Sequence, residues 1–380
     1  MKQNKKIVLI GTAASSVLGF RANLIKALLA QEYSVYAFVS EYTQAELDKI
    51  EFLGAIPVIY QLKRGGLNPL VDIKVTYELS KKIKQIAPDL VFSYFSKPVI
   101  FGTIAARIAK VPKVIGMLEG LGYAFTDQPE GFSKKTYLIK SIQILLYKLA
   151  LPQLNKLIFL NSDDSKDLLD KYNIKVKQAE ILGGIGLDLA DYAYQPVINI
   201  ERPIKFIFVG RLLKEKGIHD FIAAAQIVKE KYPQTQFTVL GAIDASNLGA
   251  LKQLELDKLV ASRIVNYPGK VDNVHDWLVD SDVFVLPSYR EGLPLSTQEA
   301  MAIGRAVITT DVPGCRDTVI DAVNGFLVEK WNPKALAEKM IYFIENPEQI
   351  VTMGYESYKM AQEKFDANEV NKHLLAILDL

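Results

Sequence analysis

The sequence predicts an α/β protein of two domains, each a doubly wound parallel sheet. Short apolar runs such as KIVLIG and SVYAFVS alternate with helical patterns such as FRANLIKALLAQ, as in parallel sheets that carry helices on both faces. The alternation stops at YAYQPVINIERP, a polar stretch with two prolines, and resumes at IKFIFVG. The length of 380 residues also suits two domains, because domains commonly have about 100–200 residues.

The polar stretch divides the chain into a first domain at residues 1–190 and a second at residues 191–360. Residues 361–380 form a terminal helix that we expect to return to the first domain. The two domains are expected to face each other across a cleft. Because open α/β sheets bind ligands beyond the carboxyl ends of their strands, the loops that follow strands are the candidate sites.

Composition narrows the class of protein. Hydrophobic residues make up 49% and charged residues 23%, as in a soluble globular protein, and a net charge of +2 gives no reason to expect nucleic acid as a partner. The single cysteine excludes an internal disulfide framework and fits a reducing compartment. The apolar run IVLIG is shorter than the about 7–15 residues of an export signal, so we expect a cytoplasmic protein.

The loop GRLLKEKG, residues 210–217, follows the apolar run IKFIFV. Gly210 ends the predicted strand and permits close backbone approach. Arg211 and Lys216 could converge on one anion, since Arg binds phosphate through paired N–H groups and Lys acts as a mobile positive charge. The next helix would add the partial positive charge of its N-terminus. The loop is therefore either a diphosphate site or an exposed basic loop, and in isolation the second is the commoner case.

The stretch YREGLPLSTQEAM follows the apolar run VFVLP and carries two glutamates. Glu291 lies in the loop, and Glu299 lies just inside a helix that we expect to begin near Ser296. Carboxylates accept hydrogen bonds from sugar hydroxyls, so a phosphate-binding loop with two such acceptors describes a nucleotide-sugar site. The alternatives are a surface turn for Glu291 and, for Glu299, the S-x-x-E capping box that begins at Ser296.

Along essentially the whole chain, these motifs resemble those of the family 4 retaining GT-B glycosyltransferases. The E-x7-E signature matches Glu291 and Glu299, and the G-R-L-x3-K-G motif matches residues 210–217. The resemblance implies a GT-B fold with an acceptor-binding first domain and a donor-binding second domain. It also implies transfer of a hexose or N-acetylhexosamine from a UDP-sugar with retention of configuration.

The resemblance assigns roles to single residues. Glu291 would bind the transferred sugar and Glu299 the nucleotide ribose, while Arg211 and Lys216 would hold the diphosphate and stabilise the departing nucleoside diphosphate. The base would lie near residues 269–271. The resemblance further implies donor contacts at these positions: Gly11, Gly210, Val271, Leu293, Pro294 and Leu295.

Two loops depart from the family pattern. After the first strand, GTAASS keeps Gly11 but has small residues where family members often carry a glycine pair. The loop MLEGLGYAFTD has no histidine, although many members place one there beside the reaction centre. The candidate in that loop is Glu119, which could orient an acceptor hydroxyl or act as a base, or could instead cap the following turn.

A metal ion or other cofactor is not expected beside the UDP-sugar donor. The three histidines, His219, His275 and His373, lie in separate helical patterns, and this spacing does not favour a metal cluster. The D-x-D match at residues 280–282 precedes a strand and would lie at the opposite end of the sheet. We therefore expect a metal-independent enzyme.

The segment Ser133–Lys156 mixes lysines with aliphatic and aromatic residues. Such a helix could lie on an anionic membrane, with Lys63 and Arg64 adding to its basic face, or could be a core helix with solvated lysines. The segments RGGLNP, LEGLG and SYREGLP resemble those of family members that extend an undecaprenyl-diphosphate-linked sugar in bacterial glycan assembly. Some of these members add N-acetylgalactosamine in α-1,3 linkage. The implied acceptor is a polyprenyl-diphosphate-linked sugar, with peripheral contact at the inner face of the plasma membrane.

Two other functions stay open at this point. One is a GT-B epimerase that acts on UDP-N-acetylglucosamine, against which the E-x7-E pattern argues. The other is a non-catalytic protein that binds nucleotide sugars. Incubation with UDP-sugars and a polyprenyl-diphosphate-sugar acceptor distinguishes these functions from glycosyl transfer.

Overall fold

The computed structural model describes residues 5–62, 69–198, 203–244, 247 and 249–380. The chain divides into two units. The first unit comprises Met1–Ala124, Ser133–Ile185 and Asn368–Leu380. The second unit comprises Phe125–Phe132 and Gly186–Ala367.

The first unit is built on a parallel sheet with helices packed against it. Its strands are β1 (Lys6–Ile10), β2 (Ser34–Val39), β3 (Ile56–Ile59), β4 (Leu90–Tyr94), β5 (Lys113–Leu118), β6 (Lys156–Phe159) and β7 (Ala179–Ile181). Its helices are α1 (Ala14–Phe20), α2 (Ala22–Ala30), α3 (Gln44–Phe52), α4 (Pro69–Ile86), α5 (Ser96–Ile108), α6 (Lys134–Ala150) and α7 (Ser162–Ser165). The strand order is β3-β2-β1-β4-β5-β6-β7.

The second unit repeats this plan with a smaller parallel sheet. Its strands are β8 (Lys205–Val209), β9 (Gln236–Leu240), β10 (Asn266–Gly269), β11 (Val283–Leu286), β12 (Ala306–Thr310) and β13 (Gly325–Val328). Its helices are α8 (Ile218–Lys231), α9 (Gln253–Ser262), α10 (Val274–Val279), α11 (Leu295–Ala302), α12 (Pro333–Glu345) and α13 (Glu348–Lys364). The strand order is β10-β9-β8-β11-β12-β13.

The central strands are apolar along almost their whole length because both faces of each sheet are covered. All residues of β4, β11 and β12 are buried, as are the last four residues of β1 and of β8. In each sheet the strand order reverses beside a central strand, between β1 and β4 in the first unit and between β8 and β11 in the second. A crevice opens at such a reversal beyond the carboxyl ends of the strands, so the fold favours one ligand site in each unit.

The first helical region differs from the expectation. The pattern FRANLIKALLAQ predicts one helix, which is α2, but the structure adds a second helix, α1, in the stretch before it, and the two meet at Arg21. The backbone of Arg21 is not helical, with φ −124° and ψ −2°, and its guanidinium group donates a hydrogen bond to the carbonyl oxygen of Phe20. The break turns the Arg21 side chain into the protein, where it is only 2% exposed.

The chain ends in α14 (Ala367–Ile377), and residues from Asn368 onward belong to the first unit. Lysines from the first sheet bind the carbonyl groups at the end of this helix. Lys113 donates to the carbonyl oxygen of Leu378 at 2.5 Å, and Lys156 donates to that of Ile377 at 2.7 Å. Lysine at a helix C-terminus is favourable because it satisfies free carbonyl groups and offsets the helix dipole. Among the described residues, no helix is both long and apolar enough to cross a membrane.

Gly217 offers a direct test of the fold at the loop between β8 and α8. It has φ +72°, and a Cβ atom there would overlap the carbonyl group of Pro287. We expect Gly217→Ala to destabilise the protein by about 2 kcal/mol or more, since the left-handed backbone and the backbone clash both oppose it. Thermal unfolding followed by circular dichroism measures the effect.

Gly19→Ala in α1 is the matched control, because a Cβ atom there meets nothing within 4 Å. This change should leave the melting temperature equal or slightly higher, as alanine favours a helix over glycine. Equal melting temperatures for the two variants would contradict the role given to Gly217.

Candidate functional site

The crevice of the second unit lies beyond β8 and β11, and the structure brings Lys216 and Glu291 together there. The Lys216 ammonium group lies 2.5 Å from Oε1 of Glu291, and the two side chains are 19% and 10% exposed. Ser288 donates a hydrogen bond to the same carboxylate oxygen at 2.6 Å. The two motifs therefore meet as a largely buried ion pair at the edge of the sheet.

Backbone hydrogen bonds hold the loop that carries Glu291. The N–H group of Glu291 donates to the carbonyl oxygen of Pro313 at 3.0 Å, and that of Tyr289 donates to the carbonyl oxygen of Glu215 at 2.8 Å. Gly314 lies so close to this loop that a Cβ atom would overlap the carbonyl groups of Glu291 and Gly292. The carboxylate is therefore presented from a fixed backbone.

Arg211 is the second predicted cation, and its partner is a residue that the sequence reasoning missed. Its Nη1 atom lies 2.7 Å from Oδ2 of Asp244, which follows β9, and the arginine side chain is 45% exposed. The signal for Asp244 was its place three residues after the apolar run FTVLG, at the same edge of the sheet as Gly210. Arg211 is thus accessible, and its guanidinium group is already matched by one carboxylate.

Glu215 shows that the predicted charges act on one another. Its side chain is buried, which raises the pKa of the carboxyl group. Lys216 and Arg211 lower that pKa through their positive charge, and Glu291 raises it. Two cations and one further carboxylate therefore act on Glu215 beside the start of α8, so a ligand here meets charges of both signs.

Glu299 does not form the capping box that was one of its two explanations. The helix α11 begins at Leu295, with Pro294 as its N-cap and no side-chain hydrogen bond at the cap. Ser296 consequently lies within the first turn, and its hydroxyl group donates to the carbonyl oxygen of Val209 at 3.0 Å. The capping box is therefore wrong, because a helix that begins before Ser296 takes that residue out of the cap position.

The carboxylate of Glu299 is held instead by Tyr192, whose hydroxyl group donates to Oε1 at 3.0 Å. Burial raises the pKa of Glu299 to about 7, and the tyrosine hydrogen bond partly opposes this rise. Tyr192 lies within the linker YAYQPVINIERP, which carried no signal for a site residue.

The remaining predicted donor positions lie at the same edge of the second sheet. Gly210 follows β8 and donates to the carbonyl oxygen of Leu240 at 3.0 Å, and Val271 follows β10. Leu293 and Pro294 are buried, and Leu295 begins α11. The first N–H groups of a helix have no partners within the helix, so this end of α11 can receive an anion.

The other predicted residues lie at the carboxyl edge of the first sheet, Gly11 after β1 and Glu119 after β5. Tyr60 donates to the carbonyl oxygen of Gly11 at 2.5 Å, and a Cβ atom on Gly11 would overlap the ring of Tyr94 at the end of β4. Glycine is therefore required at residue 11 by close packing. Glu119 follows β5 and forms an ion pair with Arg21.

The ion pair in the first unit is deeply buried, with the Arg21 and Glu119 side chains 2% and 9% exposed. The guanidinium carbon lies 4.4 Å from the centre of the Tyr94 ring, within range of a cation–π interaction. Burial raises the pKa of Glu119, and the charge of Arg21 opposes the rise. Sequence reasoning missed Arg21 and Tyr94, because an arginine in an apolar helical pattern predicts an exposed position.

The structure also bears on the metal and membrane expectations. Within the described ranges, no three His, Cys, Asp or Glu side chains cluster as metal ligands do.

The helix α6 lies within the segment Ser133–Lys156, and it buries Thr136, Tyr147 and Ala150. Lys63, Arg64 and the rest of RGGLN lie outside the described residues. Four large apolar side chains of helix α6 are each more than half exposed to solvent: Tyr137, Leu138, Leu145 and Leu149.

Comparison with known proteins gives one result for each half of the chain. Residues 193–360 match the family described as glycosyl transferases group 1, and residues 6–161 match the family described as glycosyl transferase 4-like. The predicted family resemblance is confirmed.

Two curated relatives resemble most of the chain. One is the N,N'-diacetylbacillosaminyl-diphospho-undecaprenol alpha-1,3-N-acetylgalactosaminyltransferase of Campylobacter jejuni, which is 28% identical over 98% of each chain. The other is the UDP-Gal:alpha-D-GlcNAc-diphosphoundecaprenol alpha-1,3-galactosyltransferase of Escherichia coli. It is 28% identical over 70% of this chain and 68% of its own.

Solved structures resemble the whole chain at low sequence identity. Anabaena Alr3699/HepE in complex with UDP and glucose has a TM-score of 0.77 at 17% identity, with 99% of this chain and 100% of that chain covered. Sucrose-phosphate synthase from Thermosynechococcus elongatus has a TM-score of 0.78 at 19% identity, with 98% of each chain covered. The predicted fold class, a GT-B protein of two Rossmann-like domains, is confirmed.

The buried Arg21–Glu119 pair predicts how the free energy of unfolding changes when one or both of its residues are replaced. We expect Arg21→Met to destabilise the protein by about 3–5 kcal/mol, because it leaves the Glu119 carboxylate buried without a counter-charge. The double variant with Glu119→Gln should recover part of that loss, since no buried charge then lacks a partner. Urea unfolding of both single variants and the double variant measures the coupling.

Lys81→Met is the matched control, because Lys81 pairs with Glu78 on the surface, where both side chains are about half exposed. It should change stability by no more than about 1 kcal/mol. Additive effects of the two changes at Arg21 and Glu119 would show that the buried pair has no energetic coupling.

Proposed function

We propose that this chain, whose residues 193–360 match the group 1 glycosyltransferases and whose residues 6–161 match the glycosyl transferase 4-like family, transfers a hexose or N-acetylhexosamine from a UDP-sugar to a polyprenyl-diphosphate-linked sugar. The observation that carries the proposal is the Lys216–Glu291 ion pair at the carboxyl edge of the second sheet. A UDP-sugar offers the lysine a phosphate and offers the glutamate sugar hydroxyls. Such a ligand can replace both halves of the pair at once.

On the donor side, Arg211 and Lys216 bind the diphosphate, Glu291 accepts from hydroxyls of the transferred sugar, and Glu299 accepts from the ribose. As the bond to the sugar breaks, negative charge grows on the diphosphate, and the two cations stabilise that charge. They supply the positive charge that a metal ion would otherwise provide, so we propose a metal-independent reaction.

The new bond forms on the face from which the diphosphate leaves, so the configuration at the sugar is retained. The departing phosphate oxygen takes the proton of the acceptor hydroxyl, and the reaction needs no protein nucleophile. We assign acceptor binding to residues 1–190, where Glu119 and Gly11 lie at the edge of the first sheet, and donor binding to residues 191–360. Of the terminal residues 361–380, those from Asn368 onward complete the first domain.

The lipid-linked acceptor is supported by the two curated relatives, both of which are named for diphospho-undecaprenol-linked sugars. The proposed role is therefore in the assembly of a bacterial surface glycan. Helix α6 supports peripheral contact with the membrane that carries such a lipid, because exposed apolar side chains alternate there with Lys134, Lys135 and Lys148. The enzyme then acts in the cytoplasm at the inner face of the plasma membrane.

Arg211→Ala tests the donor site. We expect turnover at saturating donor to fall about 100-fold, because removal of one group that stabilises the transition-state charge commonly has an effect of that size. The assay measures UDP released from a panel of UDP-sugars in the presence of a polyprenyl-diphosphate-linked sugar, together with the lipid product.

Lys258→Ala, an exposed lysine on α9, is the charge-matched control and should retain full turnover. Unchanged turnover in Arg211→Ala would rule out its role toward the leaving group. Conversion of the UDP-sugar to its epimer without any lipid product would indicate an epimerase. Binding of the UDP-sugar without any reaction would indicate a binding protein.

Membrane contact has its own test on α6. Replacement of Leu145 and Leu149 by serine should weaken binding to vesicles of anionic phospholipid about tenfold or more, since each leucine contributes apolar area to the bilayer boundary. Sedimentation with anionic and with zwitterionic vesicles at low salt measures the effect. Phe52→Ser is the control, because Phe52 on α3 is 96% exposed but lies outside α6. Equal binding of all variants would contradict membrane contact through α6.

A further inference from the structure

We propose that Tyr192 is a positioning residue of the donor site, which orients Glu299 toward the ribose and keeps it ready to accept a hydrogen bond. This inference rests on the proposed function, because it assumes that Glu299 meets a nucleotide. It goes beyond that function by assigning a role to the segment that precedes β8, in which the sequence shows only a linker.

The backbone around Tyr192 is anchored on both sides. Before it, Leu187 exchanges two backbone hydrogen bonds with the end of α13 and the start of α14, as donor to Phe365 and acceptor from Ala367, each at 2.8 Å. After it, Gln195 donates to the carbonyl oxygen of Ile303 at 3.1 Å. The segment therefore holds Tyr192 in a fixed place against the second unit.

The side chain of Tyr192 is fixed as well. Its ring lies 5.9 Å from the imidazole ring of His275 on α10, with the two planes inclined by 60°. Its hydroxyl group reaches Oε1 of Glu299 at 3.0 Å. The tyrosine thus joins α10 and α11 and fixes the rotation of the carboxylate.

A carboxylate has two oxygens, and Tyr192 occupies only one of them. Within the described part of the chain, no second hydrogen bond to the Glu299 carboxylate accompanies the one from Tyr192. A ribose hydroxyl that donates to Oε2 therefore finds an acceptor whose orientation is already set. Such preorganisation reduces the entropy lost on binding, so it should appear in donor affinity.

The charge of Glu299 depends on the same hydrogen bond. Burial raises its pKa to about 7, so the carboxyl group is largely protonated below that pH and ionised above it. The Tyr192 hydroxyl donates to the ionised form and lowers the pKa. The titratable groups around this pair are His275, which lies against the tyrosine ring, and Asp191, whose charge raises the pKa of Tyr192. Loss of the hydroxyl should therefore shift the ionisation of Glu299 to higher pH.

Tyr192→Phe is the variant that tests the inference, since it removes only the hydroxyl group. We expect KM for the UDP-sugar to rise about tenfold at pH 7 with kcat nearly unchanged, in line with a hydrogen bond to a charged group. The acid limb of kcat/KM should also move to higher pH. Glu299→Gln should remove that limb, because an amide does not titrate in this range.

Tyr194→Phe is the matched control. Tyr194 lies in the same segment, but its ring packs on that of Tyr358, with 4.6 Å between the ring centroids. Tyr194→Phe should therefore leave KM and the pH profile equal to those of the native protein. A KM and an acid limb in Tyr192→Phe equal to those of the native protein would overturn the inference. Thermal unfolding of each variant identifies a change that acts through folding alone.

Calorimetric titration with UDP separates this inference from the proposed function. Absence of UDP binding to the native protein would mean that the proposed function has failed. Binding of UDP to the native protein and to Tyr192→Phe with equal affinity at every pH would overturn only the role of Tyr192. Because the terminal phosphate of UDP titrates near pH 6, the two proteins are compared at the same pH throughout.

Discussion

The ion pair between Lys216 and Glu291 is the interaction on which the proposed donor site depends. Both groups are largely buried, and a buried charge without a partner costs several kcal/mol. A ligand that supplies only an anion would replace Glu291 as the partner of Lys216 and leave the carboxylate without its positive counter-charge, although Ser288 still donates to it. A ligand that supplies only hydroxyls would leave Lys216 without its anionic partner. A ligand with a diphosphate next to a sugar satisfies both groups together. The pair therefore favours a nucleotide sugar over a free phosphate or a free sugar.

Similar contacts recur at three other charged side chains near the carboxyl edges of the sheets. Arg211 pairs with Asp244, Arg21 pairs with Glu119, and Glu299 accepts from Tyr192. The parallel sheets explain this recurrence. Their central strands are apolar and their helices cover both faces, so polar side chains gather in the loops at the carboxyl ends. In those crowded loops each charge must be matched before any ligand arrives.

The sequence predicts the two sheets well and the site only in part, for a physical reason. Alternating apolar runs and helical patterns are local, and so are motifs such as E-x7-E, so a single pass along the chain reveals them. The partners are not local: Arg21 lies 98 residues from Glu119, and Tyr192 lies 107 residues from Glu299. Only the folded backbone brings them together. The capping box failed for a smaller reason, since a helix that begins one residue before Ser296 removes that residue from the cap.

The failure of the capping box and the contact with Tyr192 have one consequence in common. A glutamate engaged at its own helix start would be held by local backbone and would be ionised at ordinary pH. Glu299 is instead buried beside a tyrosine, with a pKa raised to about 7. Its charge at neutral pH therefore depends on burial, which raises the pKa, and on a residue outside the motif, which lowers it. Under the proposed function, donor affinity and its pH dependence then follow from residue 192 as well as from the two glutamates.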